Sequence, residues 1–141
     1  MMRNTIGIIL LILSLSFQLN AQSFTENDII GTWTVRQINV LTKIPDEQKK
    51  TVDMLKAAFL RSKFIFNSDN SFVFDFELEK MQIQNGHWKY NDYTKSIIIQ
   101  DWKDKDTNDW KLMEIVPKKD GDKIIFQLHD IFIELVMNKE Y

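Results

Sequence analysis

The chain has no cysteine, two prolines, four glycines and two histidines among its 141 residues. Without cysteine it can hold no disulfide framework, thiolate metal site, thiol nucleophile or lipid-bearing cysteine. So few glycines leave little room for a phosphate-cradling loop or a dinucleotide fingerprint, and no Gly-x-Ser-x-Gly elbow occurs. His87 and His129 show neither the H-x-x-x-H nor the H-E-x-x-H spacing that places two imidazoles on one metal. An excess of one charge is also missing. Against 18 basic residues stand 20 acidic ones, a net of −2, which excludes a general nucleic-acid binder. What is present is 44% hydrophobic and 12% aromatic content, too apolar for a disordered chain and enough for one domain with a real core.

The one long hydrophobic run lies at the amino terminus. Arg3 precedes the almost purely apolar residues 6–17, after which the chain turns polar at Gln18 and reaches Ala21-Gln22-Ser23. A cation, an apolar stretch below the roughly 18 residues that span a bilayer, and a small residue at the junction make a secretory signal peptide. Residues 1–21 are expected to be removed, with Leu19 bulkier than a signal peptidase favours, leaving 22–141 as a single domain. The expected location is the periplasm or the exterior, with no membrane span after cleavage and no lipid anchor.

Beyond the junction one segment has helical spacing. Val52, Leu55 and Phe59 recur on one face within residues 45–62, with Pro45, Asp46 and Glu47 suited to the first turn. Elsewhere short alternations predict eight strands, at 31–40, 63–67, 72–79, 86–90, 96–102, 110–117, 123–129 and 131–138. The connections Ser68-Asp69-Asn70-Ser71, residues 91–95 and Lys119-Asp120-Gly121-Asp122 carry turn chemistry, so strand neighbours are antiparallel. The last two strands have the weakest turn between them, near His129-Asp130, and one long bent strand is the alternative. Phe72, Phe74, Phe76 and Leu78 fall on one side, as do Phe64 with Phe66, Trp88 with Tyr90, Trp110 with Leu112 and Val116, and Ile131 with Ile133, Leu135 and Met137. Eight sequential strands with one buried face close most economically into an up-and-down barrel, because closure removes unpaired edges. A two-sheet sandwich is the other architecture these patterns allow.

Gly31-Thr32-Trp33 opens the first strand, and Phe64-Ile65-Phe66-Asn67-Ser68-Asp69-Asn70-Ser71-Phe72 and Gly86-His87-Trp88-Lys89-Tyr90 follow. Together they resemble the G-x-W and F-x-F-N-x-D-G-x-F patterns of small bacterial lipocalin-like domains. The resemblance implies an eight-stranded lipocalin-like barrel that binds a small apolar molecule non-covalently. It also implies that Trp33 closes the barrel bottom under a late cation. In that family the cation is an arginine, but no Arg follows Arg61 here, so Lys139 takes the place beside Gly31 and Trp33. The helix falls between the first two strands, where classical lipocalins put one after the last.

Ligand contact is expected at aromatics with polar handles, Trp88, Tyr90 and Trp110, and at Met54 and Phe59 if the helix acts as a lid; a plug is the alternative. Glu114 shares the parity of Trp110, Leu112 and Val116, which makes it the candidate for a polar group inside the barrel. No cofactor or metal is implied. Asp104-Lys105-Asp106-Thr107-Asn108 begins like a calcium loop, but Asp109 stands where glycine is needed and Ile115 where the bidentate glutamate belongs. With no nucleophile, metal set or cofactor motif present, and with the strand carboxylates Asp75, Glu77 and Glu79 phased to the solvated face, no residue is assigned as catalytic. The open choice is between a pocket lined by aromatics and an interior filled by them. In the second case the barrel works through its surface as an interaction module or inhibitor, for a protein partner the sequence does not name.

Overall fold

Turn chemistry and strand alternation together direct the chain. In the computed structural model, which describes residues 24–141, a short helix α1 (Glu26–Ile29) leads into β1 (Gly31–Val40). A 3-10 turn (Asp46–Gln48) then opens helix α2 (Lys49–Leu60). The rest of the chain is β2 (Lys63–Phe66), β3 (Ser71–Asp75), β4 (Ile83–Asn91), β5 (Ser96–Asp101), β6 (Lys111–Asp120), β7 (Lys123–Leu128) and β8 (Ile133–Glu140). The expected signal segment, 1–21, lies outside the described residues. Each strand pairs antiparallel with the next and β8 returns to β1, so the eight strands form one closed up-and-down barrel. The two-sheet alternative is therefore excluded, and the last pair is two strands in register from Ile124↔Met137 to Leu128↔Ile133. No helix among the described residues is long and apolar enough to cross a membrane.

Tight turns use left-handed residues where the chain must reverse: Asn70 (φ 68°), Lys95 (φ 54°) and Gly121 (φ 59°). Register shifts in β1 opposite β8, in β3 opposite β4 and in β5 opposite β6 supply the bends that closing a sheet requires. Gly86 leaves room where β4 crosses close to Phe72 of β3, since a Cβ there would stand 2.9 Å from the Phe72 carbonyl oxygen and 2.8 Å from the Ile83 Cγ2.

Three alternations predicted from sequence come out differently. β3 ends at Asp75; Phe76 still points into the core, whereas Leu78 is 39% exposed and starts a 3-10 turn, and Ile131 likewise lies in a turn rather than on the inner face. In β6 the parity is reversed: Ile115 is fully buried with Met113 and Pro117 on its side, while Trp110 and Leu112 face out with Glu114. Both faces of this strand are apolar, so hydrophobicity alone does not choose between them. The carboxylate does, because an ion inside a dry barrel costs several kcal/mol, of order the stability of a domain, whereas Met113, Ile115 and Pro117 make an entirely apolar inner set.

Candidate functional site

The interior was the first place expected for a ligand, and it is occupied by rings. Phe64 lies 4.6 Å from Phe74, Phe66 4.8 Å from Phe72 and Phe74 4.8 Å from Phe76, centroid to centroid. Phe126 joins them to the lower end, 5.1 Å from Trp33 and about 6 Å from both Phe64 and Phe66. These separations are those of rings in mutual contact. Trp88 belongs to the same column: it is 1% exposed, meets Phe66 edge-on at 5.8 Å, and donates its indole N–H to the Asn67 carbonyl at 2.9 Å. Tyr90 is half-buried near the lower end, where its hydroxyl donates to the Phe24 carbonyl at 3.3 Å and burial pushes its phenol pKa up.

Gly31, Trp33 and Lys139 come together beneath that column. The Trp33 indole donates to the Ile29 carbonyl at 2.8 Å, and the Lys139 ammonium donates to the Asp28 carbonyl at 3.1 Å while standing 5.3 Å from the Trp33 ring centroid. A short helix leaves its last carbonyls without partners, and these two donors satisfy them at the end where a cation is favoured. Helix α1 gave one sequence signal, Thr25 three residues before Asp28, whose carboxylate accepts from both the Thr25 amide and hydroxyl. At four residues it is too short for periodicity to reveal. Next to it Lys119, Asp122, Trp33 and Lys139 line a cleft of about 300 Å³.

At the opposite end α2 separates its two expected contacts. Phe59 is buried, 4.9 Å from Phe76, and closes the ring column from above; Met54 is 59% exposed. Between α2 and the β7–β8 turn lies an apolar cleft of about 300 Å³, lined by Val40, Ile44, Val52, Leu55 and Phe132.

The remaining expected residues sit outside the barrel, Trp110 immediately before β6 and Glu114 on it. Glu114 accepts from the Ser96 hydroxyl at 2.9 Å and pairs with Lys111, and the Lys111 ammonium holds its carboxyl below the ordinary range, with Ser96 adding to the effect against burial. A carboxylate depressed in the folded state stabilises the fold above its unfolded pKa and loses that contribution as pH falls through the folded value. Replacing Glu114 by Gln is expected to cost about 1 kcal/mol at neutral pH, since Lys111 is partly solvated. Urea unfolding should show the difference shrinking below the carboxylate range; a difference independent of pH would refute the ion-pair account.

His87 and Gln100 face each other across β4 and β5 under the connection that follows β5. Trp102 lies edge-on to His87 at 5.4 Å, and burial, helped by Lys89 and Lys105 against Asp106, pushes the imidazole pKa down. Gln100, 1% exposed, donates its amide N–H groups to the Thr107 carbonyl at 2.9 Å and the Asp109 carbonyl at 3.1 Å. Sequence reading passed over Gln100, because a lone glutamine in a strand carries no spacing signal.

No protein-family model, curated protein or solved structure matches the chain. The architecture itself, an eight-stranded closed antiparallel barrel, is compatible with a lipocalin-like fold.

Proposed function

We infer that the protein is an exported barrel that acts by binding through its outer surface, neither as a catalyst nor as a carrier of a ligand inside the barrel. The observation that carries this reading is the continuous column of rings from Phe59 to Trp33, which puts side chains where a lipocalin-like barrel would hold its ligand. Export rests on the cation, apolar run and Ala21 junction of the amino-terminal segment. A second reading, a small apolar ligand, finds support at the helix end, where Val52, Leu55 and Phe132 line a cleft.

Protein isolated from its own envelope fraction and weighed by native mass spectrometry is expected to have the mass of residues 22–141 alone. It should also leave hydrophobic fluorescent probes unbound. A retained apolar species that is lost in a Phe132→Ser variant would favour the second reading. One that shifts the ring resonances of Phe64 or Phe126 would overturn the filled-barrel reading.

A further inference from the structure

Three consecutive residues at the entry to β6, Trp110 just before the strand and Lys111 and Leu112 in it, carry two backbone irregularities, each with an apolar side chain exposed to water. Trp110 is in the left-handed region at φ 62°, which bulky residues seldom occupy, and its side chain is 78% exposed. Leu112, 53% exposed, falls at the bulge where the pairing jumps from Ile99↔Met113 to Gln100↔Lys111. Strain of this kind survives only where surrounding contacts impose it. Here they do. The Asp109 carbonyl, one peptide before Trp110, accepts from buried Gln100 at 3.1 Å and from the Thr107 hydroxyl at 3.1 Å. Thr107 is itself fixed by Lys89 and Gln100 on its own carbonyl, and its single hydroxyl proton is shared between the Asp109 carbonyl and the nearer Asp104 carbonyl at 2.8 Å. The backbone that carries Trp110 is thus held in place, and the indole stands out from the barrel as an exposed blade.

The blade separates two clefts. On one side Asp101, Lys103, Asp104 and Leu112 line a space of about 400 Å³; on the other Asn91, Thr94, Ile98, Asn108 and Glu114 line one of about 610 Å³. In the smaller cleft Asp101 and Asp104 stand against Lys103 and Lys111, and in the larger Glu114 stands against Lys89 and the shared Lys111, so over the two together the walls are close to neutral. A carboxylate, amides and a hydroxyl make the larger cleft predominantly polar, while Trp110 and Leu112 leave the smaller one an apolar face beside its charged rim. What matches a flat π-face between neutral walls rich in both donors and acceptors is a molecule with an apolar face and a rim of hydroxyls. A sugar ring has this form, its axial C–H groups meeting the negative face of the indole while its hydroxyls meet the side-chain donors and acceptors.

We propose that the Trp110 blade and its two flanking clefts form a binding site for a neutral oligosaccharide, with successive rings on either side of the indole. The proposal rests on the surface-binding reading above and gives it a ligand class. The test uses protein labelled with ¹⁵N at its four tryptophans, whose indole N–H signals report separately on Trp33 and Trp88 in the barrel and on Trp102 and Trp110 outside. Titration with cellotetraose, chitotetraose, maltotetraose and laminaritetraose is expected to shift Trp110 with at least one of them and leave Trp33 and Trp88 in place. Trp110→Gly relieves the left-handed strain, so it should unfold no earlier than the parent while affinity falls at least about tenfold. Trp110→Phe should retain part of the binding. No shift at Trp110 with any of these saccharides, or undiminished binding by Trp110→Gly, overturns the saccharide site and leaves the surface reading standing. A Trp110 signal that moves only on self-association or on adding a protein fraction assigns the blade to a protein contact, which also overturns it. Shifts confined to Trp33 and Trp88 would remove both readings at once.

Discussion

Replacing Phe126 by Ala is expected to destabilise the protein by about 3–5 kcal/mol, the usual range for deleting a fully buried ring. Phe126 has no solvent exposure and is the shared neighbour of Trp33, Phe64 and Phe66, so its loss opens a gap between the floor of the barrel and the upper rings. Closed strands hydrogen-bonded on both sides cannot move inward to fill that gap, which places the cost toward the upper part of the range. Against a typical domain stability of about 5–15 kcal/mol the loss is severe and corresponds to roughly 10–20 °C in Tm. The same variant should gain a property the parent lacks. A dry cavity lined by rings takes up benzene or xenon, so thermal unfolding of Phe126→Ala should move upward with dissolved benzene while that of the parent does not. An equal response in both proteins would mean that the native interior already holds accessible space, contrary to the ring column described here.

The strands and α2 were legible because two independent signals agreed on each of them. Alternation placed Phe64, Phe66, Phe72 and Phe74 in one-sided sets, and Asn, Asp and Gly supplied the reversals, so among the strands only the ends of β3, β4, β6 and β8 shifted by more than one residue. Legibility failed where two patterns competed. In β6 the outer set Trp110, Leu112 and Val116 is as apolar as the inner set Met113, Ile115 and Pro117, and only the position of Glu114 distinguishes them.

The site was less legible for a physical reason. Whether an aromatic face lines a pocket or fills it depends on what meets it across the barrel. Sequence shows Phe64 and Phe74 as members of one-sided sets, but it does not show that Phe59 descends from α2 onto Phe74 and Phe76, or that Phe126 rises from β7 between them and Trp33. The Trp110 blade was hidden more thoroughly. Its orientation comes from a positive φ fixed by Gln100 and Thr107, a constraint carried by side chain to backbone bonds that leave no periodic trace.

Gly31 offers the sharpest test of why the first strand opens with Gly-x-Trp. Its φ of +140° lies in a region open to glycine alone, and a Cβ built there would stand 2.7 Å from the Lys139 Cε. Gly31→Ala therefore faces two costs. The backbone strain is about 1–3 kcal/mol and is independent of any neighbour. The second cost arises because Lys139 must withdraw, giving up its bond to the Asp28 carbonyl and its position over Trp33, together about 1–2 kcal/mol for partly exposed groups. A double-mutant cycle separates them. In a Lys139→Ala background the ammonium contacts are already gone and the clash with them, so Gly31→Ala should there cost only the strain. The expected outcome is a penalty of about 2–5 kcal/mol in the parent, falling by about 1–2 kcal/mol in the Lys139→Ala protein. Equal penalties would show that the conformation of residue 31, rather than the passage of Lys139 beneath Trp33, is the whole reason for glycine. A vanishing penalty in the Lys139→Ala background would show that the close approach is.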